Sequence, residues 1–259
     1  AIPFRLPESL ESIHVHLVGV KGTGMAALAE ILVGAGAIVT GSDVPERFYT
    51  DELLERIDVT PRCGFKSVHV PDTASVLIHS AAYGPDNPEI TEGHNRGIVV
   101  GTYNDALGVL SRRWPTVAVT GVHGKTSTVA IAGTILARTG CSATVLVGSA
   151  VPSFGGSATL YHGSDDERRV FVLEACEYRR HFLTLSPVIA VITSVELDHT
   201  DYFASLEDLK QAFVEFGEAI AREGTLIYCA DDPNGVEVVR AIRARRPDLR
   251  LVPYGGTAA

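Results

Sequence analysis

The sequence contains no apolar run long enough to cross a membrane. No stretch reaches the roughly 18 residues that a transmembrane helix requires, and residues 1–5 lack the apolar segment of a signal peptide. The four cysteines lie far apart and form no Cys-x-x-Cys pair, so neither a disulfide scaffold nor a structural zinc site is indicated. We therefore expect a soluble protein of the reducing cytoplasm, without membrane insertion.

Basic residues are also fewer than acidic residues. The chain has 22 Lys and Arg against 31 Asp and Glu, a formal net charge of -9. This balance argues against a nucleic-acid or anionic-membrane surface, so an acidic ligand would have to be held by local cations, backbone amides and metal. The 259 residues, 46% of them hydrophobic, exceed what one hydrophobic core usually serves, which favours two domains.

Apolar strand-like runs alternate with helical patterns, which predicts βαβ units and an α/β fold with largely parallel sheets. The first strand is expected at 13–18, followed by a glycine-rich turn and a helix whose buried face carries Met25, Leu28, Ala29 and Leu32. The later elements of this half are strands at 37–40, 76–79 and 98–100 and helices at 51–57, 88–96 and 105–112.

The same order of strand, turn and helix begins again at 117–120. The second helix has its buried face at Val129, Ala132, Gly133 and Leu136. Two such starts in one chain indicate two domains, each of a nucleotide-binding type.

The boundary between these domains is placed at 113–115, where a basic pair and a proline end the preceding helix. This gives domains 1–113 and 114–259. A capping pattern of Ser205 with Asp208 starts a long helix that runs to residue 221. The other elements expected in the second domain are strands at 143–147, 170–173, 188–193, 225–229 and 249–252 and a loop at 153–164.

A phosphate-binding loop is the sharpest motif of the sequence. Residues 120–126, Thr-Gly-Val-His-Gly-Lys-Thr, lie between a predicted strand and a predicted helix. Glycines let backbone N–H groups approach phosphate oxygens, the helix N-terminus favours an anion, Lys125 supplies a charge, and the Thr126 hydroxyl can ligate magnesium. The spacing is shorter than the general Walker pattern, because Val119 stands where that pattern needs glycine.

A second glycine-rich loop, at 19–25, also follows a strand and opens a helix. It has only part of the dinucleotide-binding spacing, and a tight packing turn would need similar glycines. A nicotinamide-binding Rossmann domain is therefore an alternative at this point.

Together these motifs resemble the Mur ligase family of ATP-dependent amide ligases. The Gly-x-His-Gly-Lys-Thr core at 121–126 is similar to that family's phosphate loop, and the loop at 19–25 resembles its UDP-binding fingerprint. Gly-Ser-Asp at 41–43, His-Ser-Ala-Ala at 79–82 and Asn-Pro-Glu at 87–89 resemble further family elements in the same order. The resemblance implies a Rossmann-like UDP-binding domain followed by a P-loop ATPase-type α/β domain.

The resemblance also implies the nucleotide-binding residues. An Asp-Asp-Pro turn at 231–233, which resembles the turn that lies near adenine in the family, places Asp232 in the ATP site. The expected ATP-binding residues are Gly121, Val122, His123, Gly124, Lys125, Thr126, Ser127 and Asp232. The expected UDP-sugar-binding residues are Gly22, Thr23, Gly24, Met25, Asp43, Ser80, Ala81 and Ala82.

Carboxylates and a histidine follow two strands of the second domain. Glu174 opens a Glu-Ala-Cys-Glu motif, and His199 lies in an Asp-His-Thr-Asp-Tyr motif; both resemble metal-binding segments of the family. The implied magnesium ligands are Thr126, Glu174 and His199, and the implied catalytic residues are Lys125, Glu174 and His199. Glu177 is a weaker candidate.

Several roles stay open in the sequence. One of the adjacent Arg179 and Arg180 is expected to hold a substrate carboxylate or phosphate, although a solvated basic pair is an equal alternative. His14 and His16, in the first strand, are expected only to pack. Amino-acid choice and oligomeric state are not encoded in a readable pattern.

The family resemblance is closest to the branch that joins L-alanine to UDP-N-acetylmuramate in peptidoglycan synthesis, with ATP and Mg²⁺. The sequence does not begin with Met and ends abruptly, and the family's C-terminal, amino-acid-binding domain is not found in it, so we expect a trimmed chain with little or no activity alone. The alternatives are a peptide-recycling ligase for the same sugar nucleotide, a nicotinamide-binding protein and a non-catalytic nucleotide-binding module.

Overall fold

The computed structural model describes residues 4–164 and 168–256. The chain divides into two compact units, one of residues up to Val109 together with Gly148–Tyr161, and one of Leu110–Val147 together with the residues from His162 onwards. The α/β class with parallel sheets is confirmed. Within the described residues, none of the helices combines the length and apolarity needed to cross a membrane.

The first sheet has five parallel strands in the order β3-β2-β1-β4-β5. Its strands are β1 (His14–Val18), β2 (Ile38–Asp43), β3 (Arg62–Cys63), β4 (Val76–His79) and β5 (Val99–Thr102). The helices in this part of the chain are α1 (Thr23–Gly34), α2 (Thr50–Arg56), α3 (Pro88–Asn95) and α4 (Tyr103–Arg113). The central strand β1 is buried almost completely, as a parallel strand covered on both faces should be.

The direction of strand addition reverses at β1, because β2 pairs with one edge of it and β4 with the other. A crevice forms beyond the carboxyl ends of strands at such a point, and ligands of open α/β sheets bind there. The glycine loop after β1 and the Ser80 loop after β4 both leave the sheet at this position.

The second sheet has seven strands in the order β12-β11-β10-β6-β9-β7-β8. Its strands are β6 (Thr116–Thr120), β7 (Ala143–Leu146), β8 (Thr159–His162), β9 (Val170–Glu174), β10 (Ile189–Ile192), β11 (Thr225–Cys229) and β12 (Arg250–Tyr254). The helices are α5 (Lys125–Arg138), α6 (Leu206–Ala219) and α7 (Pro233–Arg245). Again the order reverses at the strand before a glycine loop, here β6, which lies between β9 and β10.

The predicted start of α6 is confirmed, since the Ser205 hydroxyl accepts a hydrogen bond from Asp208 N at 3.2 Å. The prediction of an uninterrupted loop at 153–164 is wrong. Pro152–Phe154 forms a short 3-10 helix and β8 begins at Thr159. The glycines and serines that indicated a loop lie on either side of β8, at 153–157 and 163–164, and they obscured the four-residue strand between them.

Candidate functional site

The loops that carry the predicted catalytic residues leave the same edge of the second sheet. Thr120, the last residue of β6, is level with Ile192 of β10, and Val119 is level with Glu174 at the end of β9. The phosphate loop, the Glu174 segment and the segment toward His199 therefore begin side by side. This edge is where ligands bind in parallel α/β sheets.

The phosphate loop has a backbone that only glycine adopts without strain. Gly121 has φ +124° and Gly124 has φ +83°. A Cβ on Gly121 would lie 2.2 Å from Thr193 Oγ1, so the loop packs against the end of β10 without room for a side chain.

Two backbone amides of this loop are held by a neighbouring residue. Val122 N donates to Ser194 O at 3.1 Å, and His123 N donates to Ser194 Oγ at 3.0 Å. The Thr193 hydroxyl in turn donates to His123 O at 2.6 Å. Ser194, to which the sequence assigned no role, therefore fixes the loop. The amides left for a phosphate are those at the start of α5, where Gly124 provides no side-chain cap.

Lys125 is held by a buried carboxylate. Its Nζ lies 3.0 Å from Glu177 Oε1 and 3.1 Å from Oε2, and it also donates to Gly121 O. The side chain of Glu177 is fully buried, whereas that of Lys125 is 17% exposed. His199 Nε2 lies 3.6 Å from Glu177 Oε1. Glu177, the weaker candidate from sequence, is thus the group that connects Lys125 to His199.

Glu174 carries an unusual buried oxygen. Its Oε1 is inaccessible to solvent and has no hydrogen-bond partner among the described residues, and the same holds for Thr120 Oγ1 at the adjacent strand end. A buried carboxylate oxygen left without a donor is costly unless a cation or water satisfies it. This oxygen fits a metal ligand.

The residues that the structure describes do not form a complete cage for a metal. In the described part of the chain, no three His, Cys, Asp or Glu side chains come together as a metal site. Mg²⁺ is usually bound through one or two carboxylates, with water and substrate phosphates supplying the remaining ligands. The residues present fit that incomplete type of site.

An aromatic ring packs against His199. The Tyr178 ring lies 4.8 Å from the His199 ring and 6.0 Å from that of Tyr202, measured between centroids. The Tyr178 hydroxyl donates to Asp201 Oδ2 at 2.7 Å. His199 itself has φ +52°, a left-handed conformation that is uncommon for residues other than glycine. Its position is therefore fixed by packing against Tyr178.

The Asp232 carboxylate accepts hydrogen bonds from three backbone amides. Its Oδ2 accepts hydrogen bonds from Val195 N at 2.7 Å and Gly235 N at 3.1 Å, and its Oδ1 accepts one from Asn234 N at 3.2 Å. It is the N-cap of α7 and joins that helix to the loop after β10. α7 was not among the sequence predictions, although Asp-Pro is a strong helix-start signal.

The glycine loop of the first unit is closed by residues of β2. Gly19 N and Val20 N both donate to Ser42 O, and Lys21 N donates to Asp43 Oδ2 at 2.6 Å. Asp43 also accepts from Val44 N, so its carboxylate holds the loop in place. α1 starts at Thr23 without a side-chain cap, which leaves its first amides available to an anion.

Three other residues of the predicted UDP-sugar set contact the protein itself. Met25 is 3% exposed and belongs to the core. Gly24 lies against Tyr103, since a Cβ there would be 2.9 Å from Tyr103 Cζ. Thr23 Oγ1 accepts a hydrogen bond from the Tyr49 hydroxyl.

The loop after β4 lies beside the glycine loop. Ser80 N donates to Val18 O, and the Ser80 hydroxyl accepts from Ala82 N at 3.3 Å, while Ala81 and Ala82 are exposed. The Tyr83 ring covers Gly19, where a Cβ would lie 2.5 Å from Tyr83 Cε2. Burial and the nearby Asp43 carboxylate raise the pKa of Tyr83, so its hydroxyl stays protonated as a donor.

A buried polar network lies under this site. Glu89 and His16 are both fully buried, and His16 Nε2 donates to Glu89 Oε2 at 3.0 Å. Ser42 Oγ also donates to Glu89 Oε2, while Lys66 N at 3.0 Å and His69 Nδ1 at 3.2 Å bond to Oε1. The expectation that His16 only packs is therefore wrong. A histidine between Val15 and Leu17 in the central strand was the available signal.

The sequence matches two family models. Residues 119–257 match the Mur ligase middle domain, and residues 14–115 match the catalytic domain of the Mur ligase family. Over 254 residues the chain is 44% identical to a UDP-N-acetylmuramate–L-alanine ligase of Treponema pallidum, covering 98% of this chain and 52% of that protein. The same enzyme of Desulfitobacterium hafniense is 44% identical, with coverage of 94% and 51%. The chain spans about half the length of the curated relatives it matches.

Solved structures share the fold. A UDP-N-acetylmuramate:L-alanyl-gamma-D-glutamyl-meso-diaminopimelate ligase from Neisseria meningitides superposes with a TM-score of 0.79 at 22% identity, covering 94% of this chain and 78% of that one. A UDP-N-acetylmuramate-alanine ligase from Thermotoga maritima gives 0.73 at 24% identity, covering 87% and 51%. These identities support a common fold and no more.

Proposed function

The chain belongs to the Mur ligase family, and from that premise we propose that the full-length protein uses ATP to join L-alanine to the lactoyl carboxylate of UDP-N-acetylmuramate, a step of peptidoglycan synthesis. The observation that carries the proposal is the linked arrangement of Lys125, Glu177 and His199 beside the uncapped start of α5. The proposed substrates are those in the names of the curated relatives.

The reaction proceeds through an activated carboxylate. A carboxylate oxygen attacks the terminal phosphorus of ATP, giving an acyl phosphate and ADP. The neutral amine of L-alanine then attacks the acyl carbon, the bond to the phosphate oxygen breaks, and the amine proton is lost to solvent or a base. Peptide-like amide and inorganic phosphate are the products, so one ATP is consumed per amide formed.

Lys125 has the position for charge stabilisation in the first step. Its ammonium offsets the charge of the terminal phosphate, after exchanging part of its contact with Glu177 for phosphate oxygens. Glu177 thereby keeps the ammonium oriented while the site is empty of nucleotide. Bound Mg²⁺ would neutralise further phosphate charge, with Thr126, Glu174 and His199 as the proposed protein ligands; the unpartnered Glu174 Oε1 supports this choice.

The UDP-sugar is proposed to bind the first unit at the start of α1, against Gly22 and Thr23, with Ser80, Ala81 and Ala82 on the adjacent loop. In this proposal Asp43 acts by holding the loop through Lys21 N. Met25 contributes by core packing beneath it. Asp232 likewise shapes the adenine end of the ATP site by capping α7.

Phosphate release by the full-length protein tests the proposal. With ATP and UDP-N-acetylmuramate present, L-alanine should stimulate release more than glycine or L-serine. Stimulation only by a preformed peptide would instead identify a peptide-recycling ligase. Binding of NADH in place of UDP-N-acetylmuramate, or no ATP turnover with any amine, would contradict the proposal.

A further inference from the structure

Two adjacent arginines near the site have different surroundings. Arg180 is anchored to α6, because its Nη2 lies 2.8 Å from Asp208 Oδ1 and its Nη1 bonds to Glu215 Oε2. A guanidinium that is paired on both sides holds the loop onto the helix. Arg180 is therefore a structural residue.

Arg179 has no such anchor. Its side chain is exposed, and within residues 4–164 and 168–256 it forms no ion pair with a carboxylate. Its guanidinium lies over the Tyr178 ring, with 5.4 Å between the guanidinium carbon and the ring centroid. The same Tyr178 ring packs on His199 and is fixed by its hydroxyl bond to Asp201. The guanidinium is thus stacked on a ring that contacts the site.

The backbone here is strained. Arg179 has φ +50° and ψ +24°, and Arg180 has φ +59° and ψ +27°, so two consecutive non-glycine residues are left-handed. The segment is held by a hydrogen bond from Arg180 N to Glu177 O at 2.9 Å. Glycine would adopt this conformation more easily. Strain of this kind at a residue whose exposed side chain forms no ion pair within the described residues points to a role for the side chain itself.

We propose that Arg179 binds an oxyanion at the position of phosphoryl transfer. The Arg179 guanidinium lies over the Tyr178 ring, which packs on His199. His199 in turn lies 3.6 Å from Glu177, the carboxylate that holds Lys125, so we place the anion between Arg179 and Lys125. The planar guanidinium of an arginine can donate to two oxygens of one phosphate or carboxylate at once. The anion is either the terminal phosphate of ATP or the carboxylate that receives it. This inference rests on the proposed ligase function.

Arg179→Gly in the full-length protein separates the side chain from the backbone. Because glycine relieves the left-handed strain, the Tm should stay the same or rise, yet kcat/KM should fall about tenfold or more. Arg179→Lys keeps the charge but lacks the planar guanidinium, so its kcat/KM should lie between those of the wild type and Arg179→Gly. Arg138→Ala, which removes an exposed arginine at the end of α5, is the control and should leave both quantities unchanged.

Nucleotide binding identifies the source of the anion. If Arg179→Gly weakens binding of the ATP analogue AMP-PNP but not of ADP, the anion is the terminal phosphate. If both nucleotides bind as in the wild type and the KM for UDP-N-acetylmuramate rises, the anion is the carboxylate.

The inference is overturned if kcat, KM and nucleotide affinity of Arg179→Gly all stay within about twofold of the wild type. A fall in Tm that accompanies the loss of activity would also overturn it, since it would indicate a structural residue. Should the wild type fail to consume ATP, the ligase proposal fails alone. Weaker binding of AMP-PNP or of UDP-N-acetylmuramate by Arg179→Gly would then still support the role of Arg179, and unchanged binding of both would overturn it.

Discussion

Gly121 has the most constrained backbone position in the phosphate loop. An alanine there would combine φ +124° with a Cβ that lies 2.2 Å from Thr193 Oγ1 and 2.8 Å from Ser194 N. We expect Gly121→Ala to lower the free energy of unfolding by about 2–4 kcal/mol and to abolish ATP binding. Urea unfolding and nucleotide titration measure the two effects.

Gly140 offers a matched control for this substitution. It has φ +75°, but nothing lies within 4 Å of a Cβ built on it. Gly140→Ala should cost about 1 kcal/mol through the backbone alone and should leave ATP affinity unchanged. Equal effects of the two substitutions would show that the close packing on β10 is unimportant.

The buried network of Glu89 connects β1, β2 and α3. Burial opposes ionisation of Glu89, but hydrogen bonds from His16, Ser42 and Lys66 N outweigh it and lower its pKa. A carboxyl whose folded-state pKa is depressed adds stability above its unfolded-state pKa, and this stability is lost as the pH falls through the folded-state pKa. The network should therefore stabilise the first unit at neutral pH and weaken in acid.

Glu89→Gln tests this network. We expect a loss of about 2–4 kcal/mol in unfolding free energy at pH 7, because several donors lose an ionised acceptor. The difference from the wild type should shrink as the pH is lowered below the ordinary range of a glutamate. Glu52→Gln, on the exposed side of α2, is the control and should have no effect. A difference that is independent of pH would contradict the account.

At the scale of elements, periodicity and turn residues predicted most helices and strands. α6 and its Ser205 cap, and the two strand-turn-helix starts, depend on local signals of this kind. β3 has only two residues, and β8 lies among the glycines and serines that indicated a loop, so neither gives a clear strand signal. Their strands form because neighbouring strands provide hydrogen-bond partners, which is tertiary information.

The site was predicted in part. Motif spacing identified the loops of Lys125, Glu174 and His199, and the sheet order brings these loops to one edge. Spacing could not show that Glu177 contacts both Lys125 and His199, because this depends on side-chain direction after β9. Nor could it separate Arg179 from Arg180, since the distinguishing carboxylates lie on α6, about thirty residues later along the chain.

On the scale of the whole molecule, the chain spans about half the length of the relatives it matches. We expect the 259-residue chain alone to bind UDP-N-acetylmuramate, because the loops after β1 and β4 are both formed in it. Calorimetry with UDP-N-acetylmuramate tests this expectation, and the absence of measurable binding would contradict it.

The central claim is that the loop around Lys125 binds the triphosphate of ATP. The most direct measurement is phosphate release by full-length Lys125→Ala, with UDP-N-acetylmuramate and L-alanine present and Lys66→Ala, an exposed lysine, as the control. Loss of a cation that stabilises the transferring phosphate should lower the rate by about a hundredfold or more, with the control unchanged. ATP consumption at the wild-type rate in Lys125→Ala would contradict the claim.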